Sequence, residues 1–151
     1  MADEAAALAQ RLQKWAEGKT TLKEVRGYTD EELYSIARTG YYFFYQGKVN
    51  EARTVFQGLY AINPMDPYFA KALGVVEMAA GNPAGAVAAY DVAIKIAPQD
   101  AAAYLGRAEV KLLQGQKNQA LDDLRRAQQF APPESAENQK ISAMLQALAR
   151  K

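Results

Sequence analysis

Three prolines recur at an interval of 34 residues: Pro64, Pro98 and Pro132. The same period aligns Gly47, Gly81 and Gly115; Ala52, Ala86 and Ala120; Gly40, Gly74 and Ala108; and the bulky side chains of Phe56, Tyr90 and Leu124. Small residues let two helices approach closely, while glycine ends one helix and proline ends the next. The chain is therefore predicted to repeat one helix–turn–helix unit.

A 34-residue period with this residue pattern is typical of tetratricopeptide repeats. The predicted fold class is all-α, an α-solenoid of three tetratricopeptide repeats with an N-terminal helical extension and a C-terminal capping helix. We expect residues 1–151 to form a single domain. Its predicted parts are an extension at 1–29, repeats at 30–66, 67–100 and 101–134, and the capping helix at 135–151.

Local signals agree with these boundaries. Thr29 and Glu32 form the T-x-x-E pattern of a capping box, which places the start of the first repeat near residue 30. Asp66-Pro67 and Asn82-Pro83 each predict an N-cap followed by a first-turn proline.

The two terminal segments lie outside the period. Residues 3–17 carry Leu8, Leu12 and Trp15 at helical spacing, which predicts an amphipathic helix. Residues 135–150 carry apolar residues from Ile141 to Leu148 in a second amphipathic pattern, and such a helix commonly covers the exposed face of the last repeat.

Composition argues against several kinds of chemistry. The chain has no cysteine and no histidine, so thiol and imidazole catalysis and the commonest zinc ligands are excluded; we expect no catalytic residues, no metal and no cofactor. The acidic pairs Glu31-Glu32 and Asp122-Asp123 are interpreted as solvated helix faces. The net charge of +1 gives no general attraction to nucleic acid or anionic membrane. The acidic start and the absence of a long apolar run favour a chain that stays where it is made.

The first helix of each repeat is expected to line a concave groove. Counting from residues 33, 67 and 101, the groove positions are the second, fifth, ninth, twelfth and thirteenth. They hold Tyr34, Ala37, Tyr41, Phe44 and Tyr45; Tyr68, Lys71, Val75, Met78 and Ala79; and Ala102, Leu105, Glu109, Leu112 and Leu113. This lining is apolar and aromatic with Lys71 and Glu109 as isolated charges, so it suits a hydrophobic ligand. For any one aromatic residue, a place in the core is an equally good interpretation.

Two details narrow the prediction. A two-carboxylate clamp for acidic peptide termini needs lysine and asparagine in the groove, and the corresponding places hold other residues, such as Ala37 and Val75. Within the aromatic run 41–45, helical geometry directs Tyr41, Phe44 and Tyr45 to the groove. Phe43 is expected in the core of the repeat, and Tyr42 is expected to face the N-terminal helix.

The run "LKEVRGYTDEELYSIARTGYYFFYQGKVNEARTVFQGLYAINPMDPYFAKALG", from Leu22 to Gly74, resembles the class II chaperones of bacterial type III secretion systems, the LcrH/SycD-like family. The resemblance lies in the lead-in before the first repeat, the aromatic block before Gln46, and the "NPMDP" turn. It covers most of residues 20–131.

The resemblance implies a chaperone of the bacterial cytoplasm that binds hydrophobic, pore-forming translocator proteins before secretion. It implies that an extended translocator segment lies in the groove, with its anchors against Tyr34, Tyr41, Phe44, Tyr45, Tyr68, Val75, Met78, Leu105 and Leu112. It also implies a homodimer through the N-terminal helix, with Leu8, Leu12 and Trp15 at the interface; alternatively, that helix packs back on the first repeat. The competing function is a general tetratricopeptide scaffold for protein assembly.

Overall fold

Helices account for all the regular structure of residues 2–150, the part of the chain that this computed structural model describes. They are α1 (Ala2–Ala16), α2 (Leu22–Arg26), α3 (Asp30–Tyr45), α4 (Val49–Ile62), α5 (Pro67–Ala79), α6 (Pro83–Ile96), α7 (Ala101–Leu113), α8 (Lys117–Phe130) and α9 (Ala136–Ala149). None of the helices in this range is long and apolar enough to span a membrane.

The helix ends follow the local signals. The Thr29 hydroxyl accepts a hydrogen bond from the Glu32 amide at 3.1 Å, and the Glu32 carboxylate accepts one from the Thr29 amide at 2.9 Å, so the capping box is formed. Asp66 and Asn82 cap α5 and α6 through their side chains. The periodic glycines follow α3, α5 and α7 with φ of +78°, +78° and +76°, a backbone conformation that favours glycine.

Three helix pairs, α3–α4, α5–α6 and α7–α8, stack in order along the chain. Each of the first two pairs closes around a glycine facing a bulky ring. A Cβ added at Gly40 would lie 2.9 Å from the ring of Phe56, and one added at Gly74 would lie 2.8 Å from the ring of Tyr90. These contacts explain why the period alternates small and large residues. The predicted all-α solenoid of three tetratricopeptide repeats is confirmed.

The last helix covers the end of the stack. Ile141 of α9 is fully buried, and Met144, Leu145 and Leu148 pack against the apolar cluster between α7 and α8. The predicted capping role of this helix is therefore confirmed.

Buried charges also join the two helices of the third repeat. On α8, Asp123 accepts hydrogen bonds from Arg107 at 2.8 and 2.7 Å, and Lys111 lies 2.9 Å away. Burial alone would raise the pKa of Asp123, but the hydrogen bonds and charges of these two cations outweigh it and hold the pKa below its ordinary value. The prediction that Asp122-Asp123 form a solvated pair is thus wrong for Asp123, because helical spacing turns it toward α7 while Asp122 stays exposed.

Candidate functional site

The first helices α3, α5 and α7 present one continuous face, which we call the groove. Its N-terminal half is aromatic. The ring of Tyr34 lies 5.3 Å from that of Tyr68, and Tyr41 lies 6.4 Å from Tyr68 and 6.2 Å from Tyr45. These side chains span the space between α3 and α5, and Tyr45 remains 81% exposed. A large, rigid apolar surface is therefore open to a ligand.

Two polar side chains of this face are fixed by the repeat that follows. The Tyr34 hydroxyl donates a hydrogen bond of 2.6 Å to Asp66, the residue that caps α5. Lys71 lies 2.7 Å from Asp100, the residue that caps α7. Lys71 is consequently not the isolated charge that the sequence suggested, since its ammonium group is paired within the protein.

The Tyr34–Asp66 bond gives a stability prediction. Tyr34→Phe should lower the free energy of unfolding by about 1 kcal/mol, since the bond is charge-assisted but partly exposed. The hydrogen bond to Asp66, with burial, raises the pKa of Tyr34 to about 12 from 10.0. The contribution should be complete below pH 10 and lost as the pH rises through about 12. Urea unfolding measures it.

The control is Tyr42→Phe, since Tyr42 is exposed. An equal loss of stability in both variants would show that the Tyr34–Asp66 bond contributes nothing.

The C-terminal half of the groove contains a cavity of about 310 Å³ between α5 and α7. Its lining is mainly apolar and consists of Val75, Met78, Ala79, Tyr90, Gly106, Glu109, Val110 and Leu113. Val75 is 39% exposed and Leu113 is 72% exposed, so the mouth of the cavity is open to a ligand. Five of the groove positions counted from the repeat meet here: Val75, Met78, Ala79, Glu109 and Leu113.

Sequence counting missed the floor of this cavity. Tyr90 belongs to α6, a second helix, and was assigned only to the core between paired helices. Its ring reaches the groove because Gly106 leaves a gap: a Cβ at that position would lie 2.7 Å from the tyrosine hydroxyl oxygen. A glycine within the interior of a helix is costly, and this was the sequence signal for a close approach.

Some predicted groove residues lie in the core instead. Ala37 is fully buried in an apolar cluster formed by α3, α4 and α5, so its assignment to the ligand surface is wrong. Leu105 is almost completely buried against α8 and α9. Both lie on the side of a first helix that the neighbouring elements cover. Leu112 and Phe44 are partly buried and keep some accessible surface.

The aromatic run 41–45 divides differently from the prediction. Phe43 packs against the first-repeat core, as expected. Tyr41 and Phe44 are partly buried against the same core, and the Tyr41 ring lies 4.9 Å from that of Phe56. Tyr42 is 62% exposed, so the expected cover from the N-terminal helix is not present. Tyr45 is the residue of this run most available to a ligand.

The charge of Glu109 is also paired. Its carboxylate lies 2.6 Å from the ammonium group of Lys140 on α9, at the edge of the cavity. The description of Glu109 as an isolated charge is therefore wrong as well. Within residues 2–150, no group of three or more Asp, Glu, His or Cys side chains is placed to hold a metal ion.

The N-terminal helix α1 stands apart from the repeats. None of its described residues is buried, and it packs on α2 rather than on the helices of repeat one. Leu8, Leu12 and Trp15 are exposed. Trp15 lines a pocket with Pro64 and Met65, in the turn that follows α4, so the apolar stripe is covered in part within residues 2–150. Both alternatives for α1 stay predictions.

Comparison with known proteins gives consistent results. A family model for the tetratricopeptide repeat matches residues 38–101. No curated protein matches the chain. Among solved structures, the type III secretion translocator chaperone SycD of Yersinia enterocolitica is 24% identical, with a TM-score of 0.80 over 85% of this chain and 98% of SycD.

Two further solved structures are similar. An alternative dimer of SycD is 25% identical, with a TM-score of 0.75 over 81% of this chain and 95% of SycD. PcrH of Pseudomonas aeruginosa, solved in complex with the chaperone-binding region of PopD, is 21% identical, with a TM-score of 0.75 over 82% of this chain and 96% of PcrH. These similarities show that the chain has the tetratricopeptide-repeat fold of the translocator chaperones SycD and PcrH.

Proposed function

We propose that this chain is a chaperone of the bacterial cytoplasm that binds an extended hydrophobic segment of type III secretion translocators in its groove. It keeps these pore-forming clients soluble and apart before secretion. The observation that carries the proposal is the open apolar face, which runs from Tyr45 to the cavity beside Val75 and Leu113. The translocator chaperones SycD and PcrH share its fold, and PcrH binds the chaperone-binding region of PopD.

The proposed contact residues are those of the groove that keep accessible surface. They are Tyr34, Tyr41, Phe44, Tyr45, Tyr68, Lys71, Val75, Met78, Ala79, Ala102, Glu109, Leu112 and Leu113. An extended peptide would place alternate side chains against this face, and each large apolar anchor would contribute about 1.5–3 kcal/mol. The polar groups of Tyr34 and Lys71 are already paired with Asp66 and Asp100, so these two side chains would contribute to binding mainly through their apolar parts.

Co-expression tests the proposal. A translocator with one or two long apolar helices should be soluble when produced with the wild-type chain and insoluble when produced alone. The complex should persist through gel filtration and should protect one short client segment from protease. Equal solubility with and without the chain, or capture of folded proteins instead of extended segments, would favour a general scaffold.

We also propose that α1 forms a homodimer interface through Leu8, Leu12 and Trp15. The stripe has the apolar character of a helix–helix contact, and its three side chains are 38%, 42% and 44% exposed in the single chain. SycD is known in an alternative dimer. In this proposal, residues 1–29 form the dimer and the repeats at 30–66, 67–100 and 101–134 bind the client. Residues 135–151 cap the last repeat.

The dimer proposal predicts a concentration dependence. Dilution should shift the emission of Trp15, the only tryptophan, as the helices separate. Leu12→Glu should shift the sedimentation coefficient to that of a monomer, because a carboxylate in an apolar interface loses its hydration. Gln13→Glu, an exposed neighbour, is the control. A wild-type chain that sediments as a monomer at high micromolar concentration would contradict the proposal.

A further inference from the structure

The floor of the cavity between α5 and α7 carries a polar group without a partner. Tyr90 is almost completely buried, with its ring between Gly74 and Gly106. Its hydroxyl forms no hydrogen bond within residues 2–150, although every fully buried side-chain polar atom in that range has a partner. The hydroxyl is therefore open to the cavity, where a ligand atom can reach it.

A second polar group lies at the wall of the same cavity. Glu109 lines it together with Tyr90, and burial and the charge of Glu109 raise the pKa of the tyrosine to about 12. Lys140 lies 2.6 Å from the Glu109 carboxylate and balances its charge. A carboxylate has two oxygens and about four lone-pair sites, so Glu109 keeps capacity to accept a hydrogen bond from a ligand.

The rest of the lining is apolar. Val75, Met78 and Ala79 of α5 face Val110 and Leu113 of α7 across the cavity. A guest side chain must therefore have an apolar stem to contact these walls and a polar end to reach the floor.

We infer that this cavity selects a client side chain that has an apolar stem and a neutral carboxamide end, as in glutamine. This inference rests on the proposed function. The carboxamide oxygen accepts a hydrogen bond from the Tyr90 hydroxyl, and the carboxamide nitrogen donates one to Glu109. Among the lining residues, Tyr90 and Glu109 are the specificity-determining pair, while the apolar walls set the shape.

The other classes of side chain fit less well. An aliphatic end would cover the Tyr90 hydroxyl without giving it a hydrogen bond, which is costly. A carboxylate would be repelled by Glu109. A lysine would have to compete with Lys140 for a charge that is already balanced. The carboxamide satisfies both groups and brings no net charge.

The test starts from a display library of random 12-residue peptides, panned against the full-length wild-type chain. Peptides that bind the wild type but not the Val75→Glu variant are groove ligands. We expect these peptides to share one glutamine or asparagine among apolar anchors. In a synthetic binder, replacing that glutamine by methionine, which has a similar shape, should weaken binding to the wild type by about tenfold. Isothermal titration calorimetry measures the affinities.

Tyr90→Phe keeps the ring that packs between the two glycines and removes only the hydroxyl, so circular dichroism should show an unchanged fold. Its preference for the glutamine peptide over the methionine peptide should fall well below tenfold, because only the hydrogen bond to Glu109 remains. The matched control Tyr42→Phe should keep the tenfold preference. Two outcomes would overturn the inference and leave the proposed function standing. One is a set of groove ligands that have only aliphatic, aromatic or lysine residues at the selected positions. The other is an unchanged preference for the glutamine peptide in Tyr90→Phe. Failure to select any peptide that depends on Val75 would contradict the proposed function and the inference together.

Discussion

Val75→Glu should weaken the binding of a translocator segment by about a hundredfold or more. The substitution removes an apolar contact and places a carboxylate beside Glu109, where a bound peptide would strip it of water. Loss of the contact and desolvation of the charge together amount to about 3 kcal/mol or more. Titration calorimetry with a peptide that the wild type binds measures the loss. Because Val75 is partly exposed, the fold should be retained, as urea unfolding can check.

Ile36→Glu is the matched control for this variant. Ile36 is 42% exposed, against 39% for Val75, and it is also an apolar residue in the first helix of a repeat. It lies about 140° around α3 from Tyr41, away from the groove. We expect it to bind the peptide like the wild type. Equal weakening by the two substitutions would indicate that the groove is not the binding surface.

Asp123→Asn should have the largest effect on stability, a loss of about 3–5 kcal/mol, because the largely buried Lys111 loses its counter-charge and Arg107 keeps only its ion pair with the more exposed Asp91. The adjacent Asp122→Asn is the control, since the Asp122 side chain is 71% exposed against 4% for Asp123. It should change stability by at most about 0.5 kcal/mol. Comparison of urea midpoints at neutral pH measures both. Similar values for the two variants would contradict the role of the buried ion pairs.

The same group predicts a pH dependence. The pKa of Asp123 is lower in the folded chain than its ordinary value of 3.8, so protons bind more readily to the unfolded chain. The stabilisation is complete above about pH 5 and is lost as the pH falls through the unfolded and then the folded value. Asp123→Asn should therefore lose less stability than the wild type between pH 5 and acid unfolding. Parallel pH curves would contradict this.

The repeat period and the caps could be predicted from sequence because they depend on local chemistry. Thr29 and Glu32 are three residues apart, and their capping box forms regardless of the rest of the chain. The packing of Gly40 on Phe56 follows from the small–large alternation within one repeat. Such signals are short in range and recur three times, so each copy supports the others.

The polar part of the site could not be predicted in the same way. Lys71 pairs with Asp100, and Glu109 pairs with Lys140, and each pair joins one repeat to the next element. The period indicates which face a side chain occupies, but it does not indicate which charge of a neighbouring element comes within reach. Ala37 is misplaced for a similar reason, because it belongs to an apolar cluster that includes Phe69, Ala72 and Val76 of the next repeat, and counting within one repeat leaves this position open.

Tyr90 shows how a core position can become part of a site. Its equivalents Phe56 and Leu124 are fully buried in their repeats, so the period alone assigns Tyr90 to the core. Only the glycine at position 106, in the following repeat, opens the groove to the tyrosine hydroxyl. Recognising this requires the packing of two repeats at once.

Photo-cross-linking of the chain to a co-expressed translocator tests directly whether an extended client lies in the groove. A photoreactive amino acid would replace Tyr45 or Leu113 at the two ends of the groove, with Lys95, exposed on α6, as the control position. We predict cross-links from both groove positions to one short client segment, and none from position 95. Cross-links from position 95 alone, or from the groove to widely separated parts of the client, would contradict binding of an extended segment.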